Sequence, residues 1–508
     1  MRKSFRVSVV FPGLVVVVLA VAQVAFAGVA MQTTEPAAGN PESTKTSPSK
    51  TTKKKKKKKA SAASIVVLGT YNPQASTAQP ATMPVTVIDN VAGNVDVTPA
   101  TPAAPARRAV RSTRTGPSLQ ILPSEDPPTN VTATTLVISE FRVRGPNGAN
   151  DEFIEIFNGT GADHTVAGGG TGYAIAASNG VARCVILNGT VIPNKGHWLC
   201  VNSVGYSLAS YPAGNGTTAT GDGTYTTDIP DNAGIALFNT SVAADFTLAN
   251  RFDAVGSTSE ANTLYKEGTG YPALTPFSID YSFYRDNCGK GGSITTFGAC
   301  PTGGLLQDNN NNAADFVFVD TNGTSAGAGQ RLGAPGPENL SSPIERNASF
   351  AVNFLDPCVA GASPPNRVRD FTSDPANNST FGTLDIRRSV QNNTGGNVTR
   401  LRFRVIDVTT FPAPSGIADL RPRTSTAVVV TVDRPPCGSG TSNVTVNGTT
   451  LEQPPSQPNG GGFNSSMSAG TITLATPLAN GASVDVRFLL GIQQTGSFKF
   501  FINVEALP

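Results

Sequence analysis

From Thr135 to its C-terminal end the chain is a succession of short runs in which apolar and polar residues alternate, each closed within a few residues by Gly, Asn or Pro. A period of two puts successive side chains on opposite faces of an extended backbone, so each run reads as a strand with one face toward a core. In "FKFFINV", Phe498, Phe500, Ile502 and Val504 alternate with Lys499, Phe501 and Asn503, which predicts one buried face and one mixed face. The 52 Gly and 38 Pro, together with abundant Thr, Asn and Val, disfavour helices and suit strands joined by turns. The expected fold class is all-β: two β-sandwich, immunoglobulin-like domains after a signal peptide and a long disordered basic tail.

The runs fall into two blocks. "LVISEFRV", "EFIEIFN", "YAIAA", "RCVILNGTVI", "HWLCVN", "GIALFN" and "FDAVG" belong to a first domain, residues 131 to 340. The stretch "LGAPGPENLSSPIE" (332 to 345) reads as a Pro/Gly/Ser joint, and residues 341 to 508 form a second domain of eight such runs. Asn447-Gly448 and Asn480-Gly481 sit between runs as hairpin turns. Both blocks are long enough to bury a core.

The first residues read as an address. Arg2, Lys3 and Arg6 precede the apolar run Val7 to Ala20, and Ala25-Phe26-Ala27 offers a small-x-small cleavage site, so residues 1 to 27 are expected to be a secretory signal peptide. Residues 28 to 130 carry a single aromatic, Tyr71, too little apolar material to offset the entropy of ordering; they are read as a disordered Thr/Pro/Ala/Lys-rich tail. With 13 basic and 6 acidic residues, this tail holds a charge of +7, whereas residues 131 to 508, with 22 and 29, hold −7. Lys53, Lys54, Lys55, Lys56, Lys57, Lys58 and Lys59 form an unbroken run that can condense on anionic envelope polymers or lipid headgroups, against the plainer reading of a solvated tail. No aromatic residue interleaves it, which argues against sequence-reading nucleic-acid recognition.

Six cysteines in a chain bound for an oxidising compartment predict disulfides. Proximity favours Cys184 with Cys200, Cys288 with Cys300, and Cys358 with Cys437, each closing within one predicted module. None has CxxC spacing, which argues against zinc.

The stretch "LVISEFRVRGPNGANDEFIEIFNGTG" gathers Glu140, Asp151, Glu152 and Glu155 into two strand-like runs. Period-two alternation puts Glu155 on the face of Phe153 and Phe157, and Glu152 on that of Ile154 and Ile156. The preferred reading is structural, with the acids accepting backbone N–H bonds or pairing with Arg142 or Arg144; metal binding and general acid/base catalysis are the alternatives. The same stretch resembles the opening of a lamin tail domain of the kind found in secreted bacterial proteins. Ile138-Ser139-Glu140 stands at the family's "ISE" strand, and Glu152, Phe153, Ile154, Glu155, Ile156, Phe157 and Asn158 at its "EFIEL-N" strand. "VIPNKGHWLCVN", "IPDNAGIALFN" and "RFDAVG" follow in the family's order, and "DYSFYRD" to "LGAPGPEN" is similar to its closing part. The resemblance covers about residues 131 to 340. It implies an immunoglobulin-like sandwich serving as an accessory or adhesion module, often beside nucleases or other hydrolases.

Three further constellations bear on chemistry. "DNNNNAAD" supplies oxygens at alternating positions, and Asp308, Asn310, Asn312 and Asp315 are candidate Ca²⁺ ligands. It departs from an EF-hand, with Ala313 where Gly is needed and Val319 where the bidentate Glu belongs, so a solvated turn is the preferred reading and a calcium site, to which Asp320 could add a ligand, the alternative. His164 and His197 lie outside any nucleophile motif, and Trp198 reads as a core or rim residue. The expected function is a secreted or cell-surface, extracellular or periplasmic, non-catalytic binding, adhesion or display protein with no cofactor beyond possible Ca²⁺. Its partner would be an extracellular polymer or protein, with no integral membrane span after signal cleavage. The rival reading is an extracellular metal-dependent hydrolase, a phosphodiesterase or nuclease, or its accessory subunit.

Overall fold

The computed structural model describes residues 131 to 507 except 213 to 217, 275 to 277, 289 to 299, 301 and 324 to 330. The proposed signal peptide and the tail with its lysine run lie outside the described residues. What is described is almost wholly strand, arranged in four large sheets.

In the first sandwich a seven-stranded sheet runs Arg331–Leu332, Phe316–Asp320, Tyr281–Arg285, Leu136–Arg142, Phe153–Asn158, His197–Asn202, Gly223–Tyr225. Its ladders are antiparallel except at the two margins. Facing it is a sheet of Arg251–Val255, Ile235–Phe238, Gly172–Ala177 and Ala182–Leu187. Leu136, Ile138, Ile154 and Ile156 from one sheet meet Tyr173, Ile175, Ile186 and Leu237 from the other. The Cys184–Cys200 disulfide joins the two sheets through that core, where Trp198 also packs.

The second sandwich pairs a five-stranded sheet, in the order Ile344–Glu345, Phe500–Leu507, Arg400–Val408, Ser466–Ser468, Thr450–Leu451, with a sheet built on Thr383–Asn392 and Ser483–Gln494. Leu401, Phe403, Ile502 and Val504 pack against Ile386, Val390, Phe488 and Leu490. Asn447-Gly448 is not a hairpin turn: the pair ends the strand Thr441–Gly448, in parallel register with Val486 and Arg487. After it the chain crosses to the other sheet as Thr450–Leu451, because the side of Thr441–Gly448 away from Ser483–Gln494 is taken by Val428–Asp433.

The two sandwiches meet through sheet faces. Both faces of Phe500–Leu507 are buried, since Phe500, Ile502 and Val504 enter the core while Phe501, Asn503 and Glu505 face the first sandwich. The mixed face of the alternation is therefore a contact face. Asn503 donates to the Gly304 carbonyl at 2.7 Å, Tyr211 donates to Ser466 Oγ at 2.8 Å, and Phe501 packs with Cys288 and Cys300. The Pro/Gly/Ser joint lies between the sandwiches, and its residues 332 to 339 are all buried. Its backbone groups bond on both sides, with Gly333 donating to Asp320 and Ala334 to Phe463. A buried strap needs such partners for every N–H.

The three disulfides are Cys184–Cys200, Cys288–Cys300 and Cys358–Cys437, the pairing that proximity favours. Their sequence separations are 16, 12 and 79. Because a cross-link restricts the unfolded chain more when it closes a longer loop, replacing Cys358 and Cys437 by Ala is expected to cost roughly 4–5 kcal/mol, against about 3 kcal/mol for Cys288 and Cys300. Urea unfolding of the two double variants checks the order.

Candidate functional site

The acids of the opening motif reach the contact face through a local irregularity. The ladder between Leu136–Arg142 and Phe153–Asn158 shifts register between Ile138 and Glu140, so Glu140 stands directly opposite Glu155. Such a bulge re-aims side chains, and here it sets two carboxylates side by side on the outer face of the sheet. Glu155 Oε1 accepts from Ser139 Oγ at 2.5 Å, and Oε2 accepts from the Glu338 N–H at 2.6 Å. Glu140 Oε1 accepts from the Gly336 N–H at 3.0 Å. Both acids thus hold the buried strap.

Across the seam, Arg402 and Arg404 project from Arg400–Val408. Arg402 pairs with Glu338 and, at 2.7 Å, with Glu505; Arg404 Nε lies 2.6 Å from Glu505 and its Nη2 3.2 Å from Glu338. Arg404 also donates to Asn464 Oδ1 at 2.7 Å. His197 sits between two carboxylates, its Nε2 3.6 Å from Glu155 Oε1 and its Nδ1 3.2 Å from Glu338 Oε2. Glu140, Glu155, His197, Glu338, Arg404 and Glu505 line a cavity of about 40 Å³, room for an ion and one or two waters.

The charges do not balance. Glu140, Glu155, Glu338 and Glu505 face two guanidinium groups, leaving two negative charges in excess if every acid is ionised. Burial raises Glu155 well above the usual carboxylate range, reinforced by the charge of Glu140, and burial likewise raises Glu140. Burial would raise Glu505 too, but Arg404 and Arg402 hold it below its ordinary value. Burial, with Arg404 and Arg402 adding to it, pushes His197 well down, so the ring is neutral.

A second buried cluster surrounds Arg285, which is fully buried and stacks over Phe316 at 4.6 Å. It donates to the Ile138 carbonyl at 2.9 Å, to Asp253 at 2.6 Å and to Asp308 at 3.2 Å. Since Asp253 also accepts from the Ile138 N–H at 2.6 Å, this arginine pins the bulged strand to the facing sheet. The four sequence candidates for Ca²⁺ do not converge on one point. Asp308 turns to Arg285; Asp315 closes on the N–H groups of Asn309 and Asn311; Asn312 accepts from Gly256 and Glu267 and donates to Ala254; Asn310 lies in the left-handed region at φ 52°. The loop is a nest of backbone caps, and the acids gathered here are Asp253, Glu267 and Asp308 instead.

The remaining motif residues are placed as follows. Glu152 accepts from the Ile229 N–H and from Asn202, both at 2.8 Å. Arg142 pairs with Asp151 and Arg144 with Asp231, rather than with the glutamates. Asn158 donates to three loop carbonyls and accepts from Thr160, fixing the turn after its strand. Ile138 and Ile154 are core residues, whereas Phe153 packs on the outer face with Leu199 and Tyr211. His164 lies apart, with Nε2 3.1 Å from the Tyr173 hydroxyl. Sequence reasoning missed Glu338, Arg402, Arg404 and Glu505; the one available signal was charge alternating with core residues in "RLRFRV" and "INVEAL".

No family model matches this chain, and neither the curated proteins nor the solved structures yield a match.

Two outcomes follow from these clusters. Arg404→Met removes one of the two buried guanidinium partners of Glu505 and is expected to cost roughly 3–5 kcal/mol in urea unfolding. Burial against its hydrogen bonds raises Glu152 to about 8, and burial with the Asp253 charge raises Glu267 to about 9, both from 4.5. The folded state then keeps protons that the unfolded chain releases, so this contribution is full below pH 4.5 and is lost as pH rises through 8 to 9. The thermal midpoint should fall between pH 5 and pH 9, and less so in Glu267→Gln.

Proposed function

We propose that this chain is a secreted or cell-surface, non-catalytic binding and display protein, built on a lamin-tail-like sandwich of the secreted bacterial type joined to a second immunoglobulin-like sandwich. The observation that carries the reading is the placement of the motif acids: Glu140 and Glu155 are each 3% exposed and face the partner sandwich. They serve as anchors for a buried strap, and a cavity of about 40 Å³ is too small for a phosphodiester substrate. Three disulfides suit an oxidising extracellular or periplasmic compartment, and among the described residues no helix is long and apolar enough to cross a membrane. In this reading the two fused sandwiches present loops and edges to an extracellular polymer or protein, and Lys53 to Lys59 tether the unit to anionic envelope material.

Fractionation of cells expressing the full chain or a deletion of Lys53 to Lys59 tests the tether. The full chain should stay with the envelope at low salt and leave it at high salt, while the deletion enters the medium at both. Both forms wholly in the medium at either salt would sink the tether. The purified full chain should not turn over DNA or model phosphodiesters with Ca²⁺ or Mg²⁺; turnover that Glu155→Gln abolishes would overturn the non-catalytic reading.

A further inference from the structure

The seam holds a histidine that the protein leaves only partly satisfied. His197 is 8% exposed, and each of its ring nitrogens looks at a carboxylate oxygen, at 3.6 Å and 3.2 Å. Nδ1, the nitrogen beside Glu338, has no hydrogen-bond partner although it is buried. Glu155 and Glu338, on either side of it, are themselves buried. A divalent cation would take the unpartnered nitrogen and these carboxylate oxygens as ligands.

We propose that Glu155, His197 and Glu338 hold a divalent transition-metal ion of the zinc class at the seam between the two sandwiches. One ligand atom from each residue lies within 4.8 Å of the other two, a span that ligand bonds of about 2.0–2.2 Å to one ion close with small side-chain shifts. The donor set of one imidazole nitrogen and two carboxylate oxygens suits zinc, whereas Ca²⁺ and Mg²⁺ take all-oxygen shells of six or more ligands. The cavity leaves space for a water as fourth ligand. The surroundings act as an outer shell. Arg402 and Arg404 engage Oε1 of Glu338, which leaves Oε2 toward His197, and the Ser139 hydroxyl orients Oε1 of Glu155. Glu155 and His197 come from neighbouring strands of the first sandwich and Glu338 from the strap bound to the second, so the ion adds a clamp across the interface.

The test uses the untagged full chain, stripped with a chelator, loaded with ZnCl₂ and desalted. A single zinc per chain should remain by mass spectrometry, with protons released on loading and a higher thermal midpoint than the stripped protein. X-ray absorption at the zinc edge should show a nitrogen and oxygen shell with imidazole scattering and no sulfur. His197→Gln and Glu338→Gln should weaken binding by more than the roughly 10–100-fold that loss of an outer-shell partner costs, while Glu267→Gln in the Arg285 cluster leaves it unchanged. The absorption spectrum belongs to the unaltered protein, so it decides the case even where a variant folds poorly. Wild-type protein that retains no zinc, a shell without imidazole, or undiminished zinc in His197→Gln would overturn the proposal.

Discussion

The contact of Arg402 and Arg404 with Glu338 and Glu505 is the interaction on which the rest of this molecule depends. Each guanidinium is buried, and burial of a charge is tolerable only where an opposite charge and directed hydrogen bonds replace water. Because Glu338 belongs to the strap and Glu505 to the final strand, these pairs join the connecting segment to the second sandwich. Glu140 and Glu155 join the same segment to the first. The seam is polar, yet its charged groups are buried as core residues are. It orders two sandwiches that otherwise share only sheet faces, by requiring each donor to meet one particular acceptor.

A second arginine plays the same part within the first sandwich. Arg285 ties the carbonyl of Ile138 to Asp253 on the facing sheet, at the place where the opening strand loses its regular register. The bulge that turns Glu140 outward to the seam is therefore held from inside by Arg285. Packing of the first sandwich and its union with the second are coupled through three consecutive residues, Ile138, Ser139 and Glu140. Mutational effects at this spot are not expected to add.

Much of this was legible in the chain. Short alternating runs closed by Gly, Asn and Pro identified the strands, since side-chain direction in a strand is a local property. Proximity picked out the cysteine pairs for a similar reason, as each disulfide closes within one sandwich. What was not legible shares one cause. "LGAPGPENLSSPIE" reads as a joint and "FKFFINV" as one buried and one mixed face, but composition registers polarity and not what lies opposite. Likewise "DNNNNAAD" has the spacing of a calcium loop, but its oxygens are taken up by nearby N–H groups and by Arg285, which a spacing pattern does not represent.

By itself the sequence determined the class of fold and most of the strands, since these follow from local periodicity and turn chemistry. Only the tertiary structure decided what those acids do. Glu155 meets Glu338 across 183 positions of chain, and Arg404 meets Glu505 across 101. Pairings at such separations are set by how sheet faces stack and where a bulge aims a side chain, and no local pattern encodes them.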